Sequence, residues 1–128
     1  MSLDVFLNFD GNCRDALNFY TEVFNLEMPE SIMTYDNTPQ GRVLYASLPI
    51  AGSNVMFSDC PEGAHYVKGN NFALTLGIQD EAEITKIFNF FANGGTVQMP
   101  LAKTFFSEFY GMVTDKFGIT WQLSKTQI

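Results

Sequence analysis

One order of predicted elements occurs twice along the chain. Each half reads as a strand, a helix and three further strands, and the expected helix caps, Asn12 and Asp80, lie 68 residues apart. That spacing is too long for a solenoid repeat. The pattern therefore predicts an α+β fold of two βαβββ modules whose sheets combine into one curved mixed sheet.

The first half begins with a short apolar strand at residues 5–9, which stops at Asp10-Gly11. A helix follows, with Asn12 placed as its N-cap and Asp15 at the third position of a capping box. The apolar residues of this helix recur at the spacing of one face: Ala16, Phe19, Tyr20, Val23 and Phe24. Three strands are then predicted at 27–35, 42–48 and 53–58, and the last two form a hairpin.

The second half repeats this order after a loop at residues 60–69. A strand at 71–78 precedes a helix that Asp80 caps and that Asn93-Gly94-Gly95 ends. Its apolar face consists of Ile84, Ile87, Phe88 and Phe91. Strands are predicted at 96–101, 109–114 and 119–124. We expect one domain over 1–128, with module one at about 3–59 and module two at about 70–125.

Charge and hydropathy exclude several classes of partner. The chain carries 7 Lys and Arg against 14 Asp and Glu, a formal net charge of −7, without a basic cluster. Binding to nucleic acid or to an anionic membrane depends on such cations, so neither partner is expected. No apolar run approaches the roughly 20 residues of a membrane helix, and the N-terminus lacks a signal-peptide pattern. We therefore expect a cytoplasmic protein.

Few side chains are available for catalysis. His65 is the single histidine, and Cys13 and Cys60 are too few and too far apart for a disulfide scaffold or a zinc cluster. His65 lies in a loop, where we expect a solvated side chain or, alternatively, a lid residue. Cys13 starts a helix, where the dipole can lower a thiol pKa, but no base lies beside it in the sequence. A nucleophilic role for Cys13 is therefore not favoured.

Three segments resemble the glyoxalase-like, or vicinal oxygen chelate, superfamily, in particular its PhnB-like group. They are NFDGNCRDA at 8–16, FYTEVF at 19–24 and YGMVTDKFGITW at 110–121. The resemblance implies two βαβββ modules forming a U-shaped sheet around a cleft, usually in a homodimer, with a divalent metal in the catalytic members. Some PhnB-like proteins are labelled 3-demethylubiquinone methyltransferases. No Gly-rich loop that would cradle a nucleotide cofactor supports that label here.

The resemblance also indicates where a metal would be held. Matching the family pattern places Val5, Ser47, Asn71 and Gln122 at the four ligand positions. An aliphatic group, a hydroxyl and two amides offer neither the imidazole nor the carboxylate that such metals require. We therefore expect no cofactor, and a divalent metal is disfavoured.

Strand alternation predicts the two faces of the cleft sheet. Val43, Tyr45 and Ser47 would share the cleft face, as would Asn71 and Gln122 with their neighbours of equal parity. Val5, Leu7 and Phe9 would add an apolar wall to it. Apolar residues of opposite parity would pack under the helices: Leu44, Ala46, Leu48, Phe72, Leu74, Leu76, Trp121 and Leu123.

The expected ligand-binding residues follow from these positions. Tyr45, Ser47, Asn71 and Gln122 would offer hydrogen bonds. Phe106, next to Phe105 in the loop 102–108, would cover the cleft or enter a subunit contact, with a dimer contact slightly favoured. No carboxylate or imidazole on the cleft face can be nominated as a catalytic acid or base, so the catalytic residues are unknown.

Three functions remain open. The favoured one is a protein that binds a small neutral or cationic molecule in the cleft, without metal. The first alternative is a metal-dependent lyase, isomerase, dioxygenase or thiol transferase with an unorthodox site, and an enzyme would be a glyoxalase-like lyase or oxygenase. The second alternative is a dimeric interaction module with a vestigial cleft. The fold alone does not choose between them, because it hosts many chemistries.

Overall fold

The two βαβββ modules predicted from the sequence are confirmed. The computed structural model describes residues 1–126 and divides the chain into two units, Met1–Val67 and a second unit that starts at Lys68. Each unit holds one helix and one mixed sheet of four strands. The boundary falls inside the loop that was predicted at 60–69.

The first unit has the strand order β1-β4-β3-β2, in which β1 runs parallel to β4 and the other pairs are antiparallel. Its elements are β1 (Val5–Phe9), α1 (Cys13–Phe24), β2 (Met33–Thr34), β3 (Val43–Ile50) and β4 (Ser53–Asp59). Ala51 and Gly52 connect β3 to β4 with φ values of 49° and 82°. Two successive positive φ angles are typical of the turns that fit the twist of a hairpin.

The strand predicted at 27–35 is wrong over most of its length. Only Met33 and Thr34 pair with a neighbouring strand, and residues 27–32 adopt no regular structure. Pro29 lies in the middle of this segment and has no N–H to donate to a ladder, which disfavours a strand there.

The second unit has the matching order β5-β8-β7-β6, with β5 parallel to β8. Its elements are β5 (Leu74–Ile78), α2 (Glu81–Ala92), β6 (Thr96–Ala102), β7 (Tyr110–Thr114) and β8 (Thr120–Lys125). The carboxylate of Asp80 accepts the N–H of Ala82 at 3.1 Å, so the predicted cap of α2 is confirmed. The strand predicted from residue 71 begins three residues later, at Leu74.

Each unit has an aromatic core between its helix and one face of its sheet. In the first unit, Tyr20 of α1 contacts Phe57 of β4 with ring centroids 5.8 Å apart. In the second, Phe91 of α2 stacks on Trp121 of β8 at 4.7 Å. The other face of each sheet carries the residues of opposite parity. None of the helices within residues 1–126 is both long and apolar enough to cross a membrane.

Two of the apolar residues expected to pack under the helices are exposed instead. Phe72 is 63% exposed because it precedes β5 and has no strand partner. Leu44 is 39% exposed, whereas Val43 and Ala46 are both buried, so strict alternation fails in this part of β3. The pairing of β3 with β2 shifts register at the same place. A bulge therefore turns Val43 away from the face that strand parity predicted for it.

Candidate functional site

A cavity of about 580 Å³ lies in the first unit. Its wall combines side chains from β1, β3, the end of β4 and the loop that follows β4. Its lining residues include Phe6, Asn8, Tyr35, Leu44, His65 and Tyr66. Cavities that hold small organic molecules commonly have volumes of roughly 300–1,000 Å³, so this one is large enough for such a ligand.

The alternation of β1 presents Phe6 and Asn8 to the cavity. Leu7 and Phe9 are buried, so the two residues of opposite parity lie on the face away from the core. Phe6 keeps 47% of its surface exposed, a large apolar area for one strand residue. The expected wall of Val5, Leu7 and Phe9 is therefore wrong for Leu7 and Phe9, which belong to the core.

Two tyrosines complete the aromatic part of the wall. The Tyr35 hydroxyl donates to the carbonyl oxygen of Asp59 at 2.8 Å, and the Tyr66 hydroxyl donates to that of Asn8 at 3.0 Å. Both bonds join a loop residue to a strand of the sheet. The hydroxyls are thus held by backbone carbonyls, and the aromatic rings remain as cavity surface.

The carboxylate of Asp59 organises the backbone behind this wall. Asp59 is 2% exposed and accepts the N–H groups of Gly11 at 2.7 Å, Cys13 at 3.0 Å and Val43 at 2.9 Å. Asn12 occupies the N-cap position of α1, as predicted, but its side chain makes no capping bond. Asp59 supplies that acceptor from the end of β4, 46 residues away from Cys13 in the sequence.

Two polar side chains of the wall are available to a ligand. Neither the Asn8 amide nor the His65 imidazole hydrogen-bonds to another residue among those that the structure describes. Both side chains are exposed, as we expected for a loop histidine. A ligand in the cavity can therefore gain hydrogen bonds from them without breaking existing ones.

The nearby cation is already paired. A guanidinium nitrogen of Arg42 contacts Asp10 Oδ1 at 2.9 Å and the carbonyl oxygen of Cys60 at 2.6 Å. The hydrogen bond from Arg42 holds the pKa of Asp10 below its ordinary value, and a weaker bond from the Cys60 thiol acts in the same direction. The guanidinium of Arg42 is therefore already bound to the Asp10 carboxylate and to the carbonyl oxygen of Cys60.

Neither thiol is activated in the fold. Burial raises the pKa of Cys13 to about 12, and the negative charge of Asp59 acts in the same direction. Desolvation also raises the pKa of Cys60, helped by the Asp10 carboxylate. Because the thiolate is the reactive form, both cysteines are expected to react slowly near neutral pH.

This difference in burial predicts the order of alkylation by iodoacetamide at pH 8. Cys60, which is partly exposed, should react first, and Cys13, which is fully buried, should react only after unfolding in guanidinium. Mass spectrometry of tryptic peptides from the native and the unfolded protein measures both rates. Labelling of native Cys13 as fast as that of Cys60 would contradict the buried, protonated thiol described above.

The residues at the family's metal positions do not fit a divalent ion. Val5 and Ser47 lie on β1 and β3, Gln122 lies on β8, and Asn71 lies in the exposed stretch before β5. None of these side chains is an imidazole or a carboxylate. Among residues 1–126 no three His, Cys, Asp or Glu side chains lie close enough together to hold a metal.

All five ligand-binding residues predicted from the sequence lie outside the cavity lining. Tyr45 and Ser47 occupy β3 of the first unit, while Asn71, Phe106 and Gln122 belong to the second. Two of them are near the same strand, β7. Gln122 pairs with Met112 on β7, and the ring of Phe106 lies 4.9 Å from that of Tyr110, two residues earlier on the same strand. Contact of these residues with a ligand stays a prediction.

The sequence contains one indication of the lining residues that were not predicted. Asn8 is the single polar residue of β1, which indicates that its parity, shared with Phe6, faces away from the core. Tyr35 and Tyr66 lie in irregular segments, where no periodicity predicts the direction of a side chain.

Phe105 and Phe106 form an exposed aromatic pair at the end of the second unit's sheet. Phe105 is fully exposed, Phe106 is 56% exposed, and their rings meet edge to face at 5.1 Å. The ring of Phe106 contacts that of Tyr110, which anchors this member of the pair to β7. A subunit contact through this pair stays a prediction.

The chain is similar to proteins of one family over nearly its whole length. A family model described as 3-demethylubiquinone-9 3-methyltransferase matches residues 2–124. Protein YjdN of Escherichia coli K12 is 33% identical over 97% of this chain and 95% of its own. The crystal structure of PA1353 from Pseudomonas aeruginosa matches with a TM-score of 0.86 at 30% identity, over 99% of this chain and 100% of that one.

Two further solved structures are similar to the chain. A putative 3-demethylubiquinone-9 3-methyltransferase, PhnB protein, from Bacillus cereus matches with a TM-score of 0.81 at 31% identity, over 98% of this chain and 100% of that one. A glyoxalase-related enzyme from Fulvimarina pelagi matches with a TM-score of 0.68 at 16% identity, over 98% of this chain and 89% of that one. The second likeness concerns the fold alone and confirms the glyoxalase-like architecture.

Proposed function

The chain belongs to the family described as 3-demethylubiquinone-9 3-methyltransferase, the PhnB-like group, and within it we propose that this protein binds a small neutral or cationic organic molecule in the cavity of its first unit. The observation that carries the proposal is the cavity of about 580 Å³ with exposed apolar side chains in its wall. Ligand sites typically combine such apolar surface with a few polar groups that fix orientation.

Two apolar residues would contribute most to affinity. Phe6 is 47% exposed and Leu44 is 39% exposed, so each can bury further surface against a ligand. Removal of apolar surface from water is favourable by about 25 cal/mol per Å². Asn8 and His65 would set the orientation of the ligand, because their side-chain polar groups have no hydrogen-bond partner among the described residues.

Binding fits the cavity better than catalysis does. The carboxylate of Asp59 accepts three backbone N–H groups, so it is committed to the fold and is not free to act as a base. The thiol of Cys60 has a raised pKa, which disfavours a nucleophilic role. The proposal therefore requires no covalent step.

The methyltransferase activity in the family's description lies outside this proposal. Nucleotide cofactors are often held by free backbone N–H groups where a strand turns into a helix. In this chain the N–H groups of Gly11 and Cys13, in the turn between β1 and α1, already donate to Asp59. The residues of this turn thus do not fit such a cofactor.

A titration with Nile red, a neutral fluorescent dye, tests the proposal. We expect saturable binding that EDTA leaves unchanged, and a dissociation constant about tenfold higher in Phe6→Ala, which corresponds to about 1.4 kcal/mol of lost apolar contact. Phe72→Ala is the matched control, because Phe72 is similarly exposed but lies in the second unit. Absence of saturable binding, or equal weakening by both variants, would overturn the proposal.

A further inference from the structure

The chemistry of the cavity wall specifies the class of ligand more narrowly than size alone. Resting on the proposed function, we propose that the cavity selects organic cations, such as quaternary ammonium ions with an apolar substituent, over neutral molecules of the same shape. The selecting groups are the aromatic rings of Phe6, Tyr35 and Tyr66.

These rings come from three separate segments that line the same cavity. Phe6 lies on β1, Tyr35 directly follows β2, and Tyr66 belongs to the loop after β4. The face of an aromatic ring carries partial negative charge and attracts a cation within about 6 Å of its centroid. Several rings around one cavity are the arrangement that recognises quaternary ammonium groups, which cannot donate a conventional N–H hydrogen bond.

The hydrogen bonds of the tyrosines favour contact through the rings. Both hydroxyls donate to backbone carbonyls, Tyr35 to Asp59 and Tyr66 to Asn8, so they are not free donors for an anion or a neutral acceptor. The same bonds restrain the rings before a ligand arrives. A wall that is already in place loses less conformational entropy on binding.

The charges around the cavity favour a positive ligand. No Lys or Arg is among its lining residues within the described part of the chain, and the buried carboxylate of Asp59 lies behind the wall. Arg42 lies nearby, but its guanidinium is bound to Asp10 and to the carbonyl of Cys60. His65 and Cys60 are the remaining titratable groups beside the two tyrosines, and neither is a permanent cation. The chain as a whole carries a net charge of −7.

Matched ligands separate charge from shape in the experiment. Benzyltrimethylammonium and its neutral carbon isostere, neopentylbenzene, have nearly the same volume, as do choline and 3,3-dimethyl-1-butanol. Competition against bound Nile red measures all four dissociation constants. We expect each cation to bind at least about tenfold more tightly than its isostere, because several rings contribute in a partly desolvated site.

The variant Phe6→Leu tests the role of the ring. Leucine keeps most of the apolar contact but has no π face, so Nile red binding should change less than about threefold while the preference for the cation falls several-fold. Phe72→Leu, in the second unit, should change neither quantity. Equal affinity for cations and isosteres in a protein that binds Nile red would overturn this inference and leave the proposed function intact. No binding of any of these probes would overturn both.

Discussion

Replacing Asp59 with Ala is expected to lower the free energy of unfolding by about 3–5 kcal/mol, because three backbone N–H groups lose an ionised acceptor. The three donors, Gly11, Cys13 and Val43, belong to the turn before α1, to the first residue of α1 and to β3. One side chain therefore joins three segments of the first unit. Urea denaturation followed by circular dichroism measures the change.

The loss of stability in Asp59→Ala should come from the lost hydrogen bonds rather than from the lost negative charge alone. Asp59→Asn keeps the volume but has a single acceptor oxygen, so it should also be clearly destabilised. Asp36→Asn is the control, because Asp36 is exposed and its carboxylate accepts hydrogen bonds from Thr38, two residues away in the same turn. A loss of less than about 1 kcal/mol in Asp59→Ala would contradict this role, since a single lost hydrogen bond already costs that much.

Asp115→Ala is expected to destabilise the second unit by about 3–4 kcal/mol for a similar reason. Asp115 is 3% exposed and accepts the N–H groups of Phe117 at 2.9 Å and Ile119 at 3.1 Å, and the indole N–H of Trp121 at 2.9 Å. These bonds shape the turn between β7 and β8 and hold the indole that stacks on Phe91. Urea denaturation monitored by tryptophan fluorescence measures the loss, since Trp121 is the single tryptophan.

Trp121→Phe separates the parts of this network. It removes one of the three donors and keeps an aromatic ring in the core, so it should cost less than Asp115→Ala. Circular dichroism replaces fluorescence for this variant, because it lacks tryptophan. If Asp115→Ala unfolded at the same urea concentration as the wild type, the network would not stabilise the fold.

Local sequence signals predicted most of the elements. The Asp80 cap and the Gly94 turn bracket α2 (Glu81–Ala92), because both act within a few residues of the helix ends. The turn at 115–118 was also predicted from Gly118, which adopts a φ of 88°. Helix caps and turns can be inferred from the local sequence, because their hydrogen bonds join residues only a few positions apart.

Long-range contacts explain what the sequence did not predict. Asn12 is the N-cap residue of α1, but the carboxylate that accepts the N–H of Cys13 comes from Asp59 at the end of β4. The same carboxylate accepts the N–H of Val43 where β3 departs from strict alternation, which places Leu44 in the cavity wall. Neither effect is visible in a pattern of nearby residues, so the predicted faces of β3 were partly wrong.

An NMR titration would show whether a small molecule binds in the cavity of the first unit. Benzyl alcohol and benzyltrimethylammonium, a neutral and a cationic probe, would be added separately to ¹⁵N-labelled protein. We predict saturable amide shifts that are largest around Phe6, Asn8, Leu44 and Tyr66. Shifts concentrated around Gln122 and Phe106 in the second unit, or no saturable shift with either probe, would contradict binding in the cavity of the first unit.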